Sequence, residues 1–220
     1  EDHLLLDAGC GSGMFTAMAV NEGAEVIGID AAPGLLEVAR QRNPNNNFLE
    51  EDLEALPFES NSFDVVAAFN SLQYAGSFEN ALAEATRVLK PGGRMVIGIW
   101  DQPQYSEATE ILKAIGALLS PPPPGKPGPF ALSEDGRIEE ALMNTNLKLL
   151  YKSSIPCPFM FSNLKHAVQA FMGTGPAAIA LNSHSKATVE ETVEQAFQPF
   201  HITDDFFFLQ NKFLLFIAEK

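Results

Sequence analysis

Leu4-Leu5-Leu6-Asp7-Ala8-Gly9-Cys10-Gly11-Ser12-Gly13 runs from three apolar residues through an acid into three alternating glycines. The apolar run predicts a buried strand that the acid closes. The glycines predict a turn, because a residue without Cβ reaches φ values closed to others and lets a ligand approach the backbone. The spacing is G-x-G-x-G. The dinucleotide fingerprint G-x-G-x-x-G wants glycine where Met14 stands, which points away from a pyrophosphate ligand.

The neighbouring segments repeat the theme. Glu25-Val26-Ile27-Gly28-Ile29-Asp30 predicts a second short strand ending in an acid. In nucleotide-binding α/β units an acid there accepts hydrogen bonds from ribose hydroxyls. Asn47-Phe48-Leu49-Glu50-Glu51-Asp52-Leu53 reads as a third strand ending at Asp52, and residues 62–70 as a fourth. Leu89-Lys90-Pro91-Gly92-Gly93 predicts a helix end and a turn, with a fifth strand running to Trp100.

Helices are expected between these strands. One follows Gly13. A second starts near Pro33, a favourable first-turn residue. A third carries Phe78, Leu82, Ala85, Val88 and Leu89 at three- and four-residue steps. Strict alternation over residues 4–100 predicts a doubly wound parallel sheet. Residues 101–130 interrupt it with a helix at 106–119 and a proline-rich stretch. That stretch reads as a stiff linker or a docking ligand, with a loop along the rim of a pocket preferred. A helix near 135–144, a strand at 147–155 and a helical insertion at 156–204 come next. Within the insertion, Thr188-Val189-Glu190-Glu191 has the pattern of a capping box. Residues 206–218 read as the last strand, bent near Gln210-Asn211. The expectation is one domain with its core at 1–100, 131–155 and 205–220, and insertions at 101–130 and 156–204.

Composition narrows the function. Fourteen Lys and Arg against 28 Asp and Glu give a formal charge of −14 over 220 residues, with no basic stripe. That argues against nucleic acid as a partner, since phosphate neutralisation supplies most of such binding. Cys10 and Cys157 make no disulfide framework, so a cytoplasmic setting is expected. No apolar run approaches the roughly 18–20 residues that span a bilayer, so no membrane insertion is expected. No signal peptide is visible; the abrupt entry into the first strand predicts that further residues precede it. No Cys/His cluster has metal-ligand spacing, and no metal is expected.

Asp7-x-Gly9-x-Gly11-x-Gly13, Asp30, Asp52-Leu53, Ser62-Phe63-Asp64 and Leu89-Lys90-Pro91-Gly92-Gly93 stand in order within residues 4–100. In this the chain resembles the Rossmann-like S-adenosylmethionine-dependent methyltransferases, in their small-molecule branch with a type 11-like domain. The resemblance implies a seven-stranded, mostly parallel sheet with helical lid insertions. It implies S-adenosylmethionine as cofactor, S-adenosylhomocysteine as product and a small-molecule acceptor. Asp7 would lie near the amino-acid part of the cofactor, and the backbone of Gly9 and Gly11 would line it. Asp30, followed by Ala31, would take the ribose hydroxyls. Asp52 would accept from the adenine amino group and the Leu53 amide would donate to the ring. The backbone around Asn70 and Ser71 would hold the methionine end.

Transfer of a methyl group from a sulfonium needs alignment and exclusion of water more than a catalytic side chain. None is assigned here. His166, His184 and His201 are candidates for a general base, each equally readable as a surface residue. Tyr74, Trp100 and Phe130 are expected at the substrate pocket, with Gln73 beside Tyr74. Phe159, Phe161 and Phe171 read either as pocket wall or as core. Cys10 reads as a small residue that fits the turn. Asn70-Ser71-Leu72-Gln73 lacks the prolines of the Asn/Asp-Pro-Pro-aromatic motif, which excludes enzymes acting on adenine or glutamine nitrogens. Two other readings are a non-catalytic S-adenosylmethionine-binding regulator or assembly factor, and an NAD-dependent oxidoreductase. Met14 and Asp52-Leu53 stand against the last.

Overall fold

A computed structural model describes residues 3–120, 128, 130–203 and 205–220. The chain forms two compact units. The first comprises Glu1–Trp100, Pro129–Ser154 and Leu214–Lys220, the second Asp101–Gly128 and Ile155–Phe213.

The first unit opens with β1 (Leu4–Ala8), α1 (Met14–Asn21), β2 (Glu25–Asp30), α2 (Pro33–Arg42) and β3 (Asn47–Glu50). Next come β4 (Phe63–Phe69), α3 (Phe78–Val88) and β5 (Leu89–Trp100). After the second unit's first segment follow α5 (Arg137–Asn144) and β6 (Lys148–Pro156), and the last strand is β10 (Lys212–Glu219). The strands make a seven-stranded, mostly parallel sheet in the order β3-β2-β1-β4-β5-β10-β6. β1 sits between β2 and β4, with Leu6 opposite Ile27 on one side and Val66 on the other. Leu5, Leu6, Asp7 and Ala8 are all buried, as a parallel strand covered on both faces requires. Gly92 N donates to Lys220 O at one end of β5, and Asp101 N donates to Lys212 O past the other. β10 therefore runs antiparallel to β5.

The core joins sheet and helices through Leu6, Ile29, Val66, Leu82, Met95, Ile97, Leu142 and Phe216. α3 supplies Phe78, Ala81, Leu82, Ala85 and Val88 from one face, and the Ser77 side chain caps it by accepting from Asn80 N at 3.3 Å. The acid of Ser62-Phe63-Asp64 has a structural task. Asp64 accepts from Leu4 N at 3.0 Å and from Lys90 Nζ at 2.8 and 2.9 Å, tying β4 to β1 and β5 at their amino ends. Lys90 holds the Asp64 carboxyl below its ordinary range.

The second unit contains α4 (Ala108–Gly116), β7 (Phe159–Phe161), α6 (Leu164–Met172), α7 (Gly175–Ala180), α8 (Lys186–Phe197), β8 (His201–Thr203) and β9 (Phe206–Leu209). β7, β9 and β8 form a small antiparallel sheet. Phe197 meets Phe161, Phe171 and Phe207 edge-on at 5.7, 5.2 and 6.0 Å, a stable geometry for aromatic pairs. Buried Asn211 gathers the unit's strands and loops: its Oδ1 accepts from Ser106 Oγ at 2.9 Å and Ala108 N at 3.0 Å, and its carbonyl accepts from Cys157 N at 2.7 Å.

Several expectations shift. β3 stops at Glu50, so Asp52 lies beyond the strand. Pro91-Gly92-Gly93 lies inside β5 and does not end the helix. Proline pushes the preceding Lys90 out of the helical region, and the strand starts at Leu89. The segment 156–204 is mixed, with two strands among its helices. α8 is capped by Ser185, whose Oγ accepts from Thr188 N at 3.1 Å, so Thr188 sits inside the first turn and the capping box is three residues out of register. The tail is two strands in two sheets, parted at Gln210-Asn211. The proline-rich segment falls largely on residues 121–127 and 129, outside the described residues.

Phe216 is buried in the main core from β10. Phe216→Ala is expected to cost about 3–5 kcal/mol of stability, measured by urea unfolding. A loss under about 1 kcal/mol would show that β10 does not anchor the sheet.

Candidate cofactor site

Where the order of the sheet reverses between β1 and β4, the chain leaves the carboxyl ends of neighbouring strands in opposite directions, and a crevice opens there. The first unit has a cavity of about 860 Å³ at these ends. It is lined by Asp7, Gly9, Gly11, Asp30, Ala31, Asp52, Leu53, Asn70 and Ser71, all nine residues expected to touch a cofactor. Tyr74, 66 % exposed, lines it too. Trp100 and Phe130 do not: Trp100 is buried at the end of β5 with its ring 6.2 Å from that of Phe130.

The turn after β1 is fastened from three sides. The amides of Gly9 and Cys10 both donate to Ile29 O, at 2.9 and 2.8 Å. Asp30 Oδ2 accepts from Gly11 N at 2.8 Å and Oδ1 from Ala32 N at 2.9 Å, so the acid that ends β2 also holds the turn. Ser71 Oγ donates to Ala8 O at 2.7 Å. Gly9 has φ +81°, and a Cβ there would lie 2.2 Å from Ser71 Cβ. Only glycine permits that approach. At Gly11 a Cβ would meet nothing within 4 Å. Together with the lining of the cavity, this leaves a bare backbone cradle on the ligand side.

Asp52 lies past β3, with Oδ1 accepting from Glu54 N at 2.9 Å. Asn70 adopts φ +54°, which asparagine tolerates, and its amide donates to Gly98 O at 2.7 Å. Met14, Phe15, Leu35, Glu54 and Gly76 also line the cavity and were not expected. Met14 follows the glycine turn directly and was legible there. Glu54 was not, because its place depends on a tertiary contact: Oε1 accepts from Ser77 N at 2.8 Å, joining the loop after β3 to the start of α3.

The electrostatics are one-sided. Asp7, Asp30, Asp52 and Glu54 line the cavity, with no Lys, Arg or His among the described residues that do so. Asp7 is 2 % exposed, and burial pushes its carboxyl up to about 6, opposed by the Thr16 hydroxyl that donates to Oδ2 at 2.6 Å. Burial, then Asp7 and Asp30, push the Cys10 thiol up to about 12, so it is a neutral filler at physiological pH. The expected histidines are in the second unit: His166 Nδ1 meets Ser162 Oγ at 2.9 Å, His184 Nε2 meets Leu118 O at 3.1 Å and His201 lies beside the Phe207 ring. Among the described residues no helix is long and apolar enough to cross a membrane, and no group of three His, Cys, Asp or Glu could hold a metal ion.

Asp7 yields a pH test. Its folded-state value is raised from 3.8 to about 6, so between those values the folded chain keeps a proton that the unfolded chain has lost. Its contribution to stability is present below about pH 4 and is lost as pH rises through about 6, by about 3 kcal/mol. Asp7→Asn removes this dependence. The variant is expected to gain about 2–3 kcal/mol on the native chain between about pH 4.5 and about pH 7.5, measured by denaturant unfolding at both. A constant difference would show that Asp7 ionises freely.

The sequence model of the methyltransferase-domain family matches residues 6–97. The demethylmenaquinone methyltransferase of Renibacterium salmoninarum is 36% identical over 101 residues, 46% of this chain and 43% of the relative. The malonyl-[acyl-carrier protein] O-methyltransferase of Buchnera aphidicola is 29% identical over 191 residues, 87% of this chain and 72% of the relative. The YcgJ protein of Bacillus subtilis shares the fold, with a TM-score of 0.62 and 22% identity over 100% of this chain and 92% of that one. The chain spans less than half the length of the first curated relatives it matches. S-adenosylmethionine is the cofactor of this family. Over residues 6–97 the chain matches the methyltransferase-domain family, and its seven-stranded sheet has the Rossmann-like methyltransferase fold.

Proposed function

We propose that the chain binds S-adenosylmethionine in the cavity of its first unit and catalyses transfer of the methyl group to a small, partly apolar acceptor. The observation that carries this reading is a cavity with a bare glycine cradle, four carboxylates and no cation among the described residues that line it. Such a lining suits a cationic ligand and disfavours the pyrophosphate of a dinucleotide. Bound there, the cofactor supplies a methyl group on a sulfonium that leaves without being protonated.

The chain's own part is binding and alignment. A carboxylate offers about four acceptor positions. Two of those on Asp30 serve Gly11 N and Ala32 N, and the others remain for ribose hydroxyls. Asp52 and the Leu53 amide would take the adenine edge, and the backbone at Asn70 and Ser71 the amino-acid end. Tyr74, on the short turn after β4, is the side chain proposed to contact the acceptor. The described residues of segments 101–130 and 156–204 are proposed as an apolar lid that excludes water during transfer. Relatives named for demethylmenaquinone and for malonyl-[acyl-carrier protein] support an acceptor of the small-molecule class.

Calorimetric titration is expected to give binding of S-adenosylmethionine and S-adenosylhomocysteine and none of NAD. Asp30→Ala is expected to weaken the cofactor by about 2–4 kcal/mol, since it removes charge-assisted hydrogen bonds. Tight NAD binding, or full affinity in a folded Asp30→Ala protein, would sink the assignment. Hydrogen exchange tests the lid: protection in both segments should rise with cofactor and an acceptor together. Unchanged protection would remove the lid and leave the cofactor reading standing.

A further inference from the structure

Asp7 is an unusual group to find at a ligand site. It lies inside a central strand and not at its tip, almost wholly buried, yet it lines the cavity. The carboxylate is held by the first turn of α1, where Thr16 donates its hydroxyl to Oδ2. The charges around it are of its own sign. Asp30 faces it from the end of β2, and Asp52 and Glu54 line the same cavity from the loop after β3. α1 carries no charged side chain. From the β4 side the lining residues are Phe69, Asn70 and Ser71, all uncharged, while the one charge of β4, Asp64, is paired with Lys90 at the opposite end of the strand. The nearby Cys10 is a neutral thiol, and Arg40 of α2 acts on Cys10 and donates to Phe48 O.

A buried carboxylate without a cation has two ways to lower its energy: it can take up a proton, or a positive charge can enter beside it. We infer that a proton on Asp7 and the positive charge of the cofactor compete for the same buried carboxylate, so that cofactor binding expels that proton in weakly acidic solution. The proton passes to solvent and Asp7 remains as carboxylate, with no other group changing state. The inference rests on the proposed cofactor and adds to it a coupling between binding and pH. Affinity then rises with pH until Asp7 is ionised in the chain by itself, and is flat above that point. With a value of about 6 for Asp7, affinity for S-adenosylmethionine should be about tenfold weaker at about pH 5 than at about pH 7.5.

Calorimetry in two buffers of different ionisation heat counts the protons released per S-adenosylmethionine bound. About half a proton is expected at about pH 6, and close to none at about pH 8. Asp7→Asn should abolish the release and flatten the pH dependence. Thr16→Val keeps the carboxyl and removes the hydroxyl that favours its ionised form, so the midpoint should move to higher pH. This second variant carries the test if Asp7→Asn fails to fold. Equal proton release in Asp7→Asn and the native chain, or none at about pH 6, overturns the inference and leaves the function intact. Failure of S-adenosylmethionine to bind at about pH 7.5 overturns both.

Discussion

In the middle of the larger sheet, β1 parts two halves of the chain: β2 and β3 are laid down on one side, β4 and β5 on the other. Each connection must leave the strand ends in its own direction, and the backbone between them is left without a covering layer. The hydrogen bond from Ser71 Oγ to Ala8 O, and the pair of amides on Ile29 O, draw the turns of both halves together at this gap. Gly9 makes that closeness sterically possible, because any Cβ would occupy the space of Ser71. The cavity is a product of strand order: Asp30 and Asp52 line it because they lie at or just past strand ends, and Asp7 lines it from within β1.

The sequence was most legible where local pattern and tertiary fold make the same demand. The five parallel strands and the three helices between them could be read from apolar runs, glycines and Pro33, because each segment buries a face set by its own periodicity. The nine residues expected to touch cofactor gather for the same reason: position at a strand end is a property of topology, and topology follows from alternation. Asp30 was legible as an acid at a strand end but not as the residue that holds Gly11 and Ala32, since that role depends on how two turns meet. Asp64 stood out as a motif residue, and its use as a tie between three strands emerges only when Leu4 and Lys90 come together.

The second unit was least legible. Its aromatic residues announce burial without saying against what, and the Phe161-Phe171-Phe197-Phe207 cluster joins residues far apart in the chain. The division of residues 206–218 between two sheets turns on Asn211, whose side-chain oxygen accepts from Ser106 and Ala108 while its backbone carbonyl accepts from Cys157. A buried asparagine looks in sequence like any turn residue. Trp100 and Phe130 were placed by hydrophobicity alone, which cannot separate a pocket wall from a packed pair of rings.

The order β5-β10-β6 has a kinetic side. During synthesis β6 is complete well before β10 exists, and residues 157–211, all assigned to the second unit, lie between them in the chain. β6 cannot pair with β5 directly, because the place beside β5 belongs to β10. Until the last strand arrives, both β5 and β6 present unpaired edges, and closing the sheet requires contacts between distant parts of the chain. Edges left open in this way invite pairing with other chains. The final eight-residue strand is thus the step that commits the larger unit to its native form, and the interval before it is when a nascent chain is most exposed to aggregation.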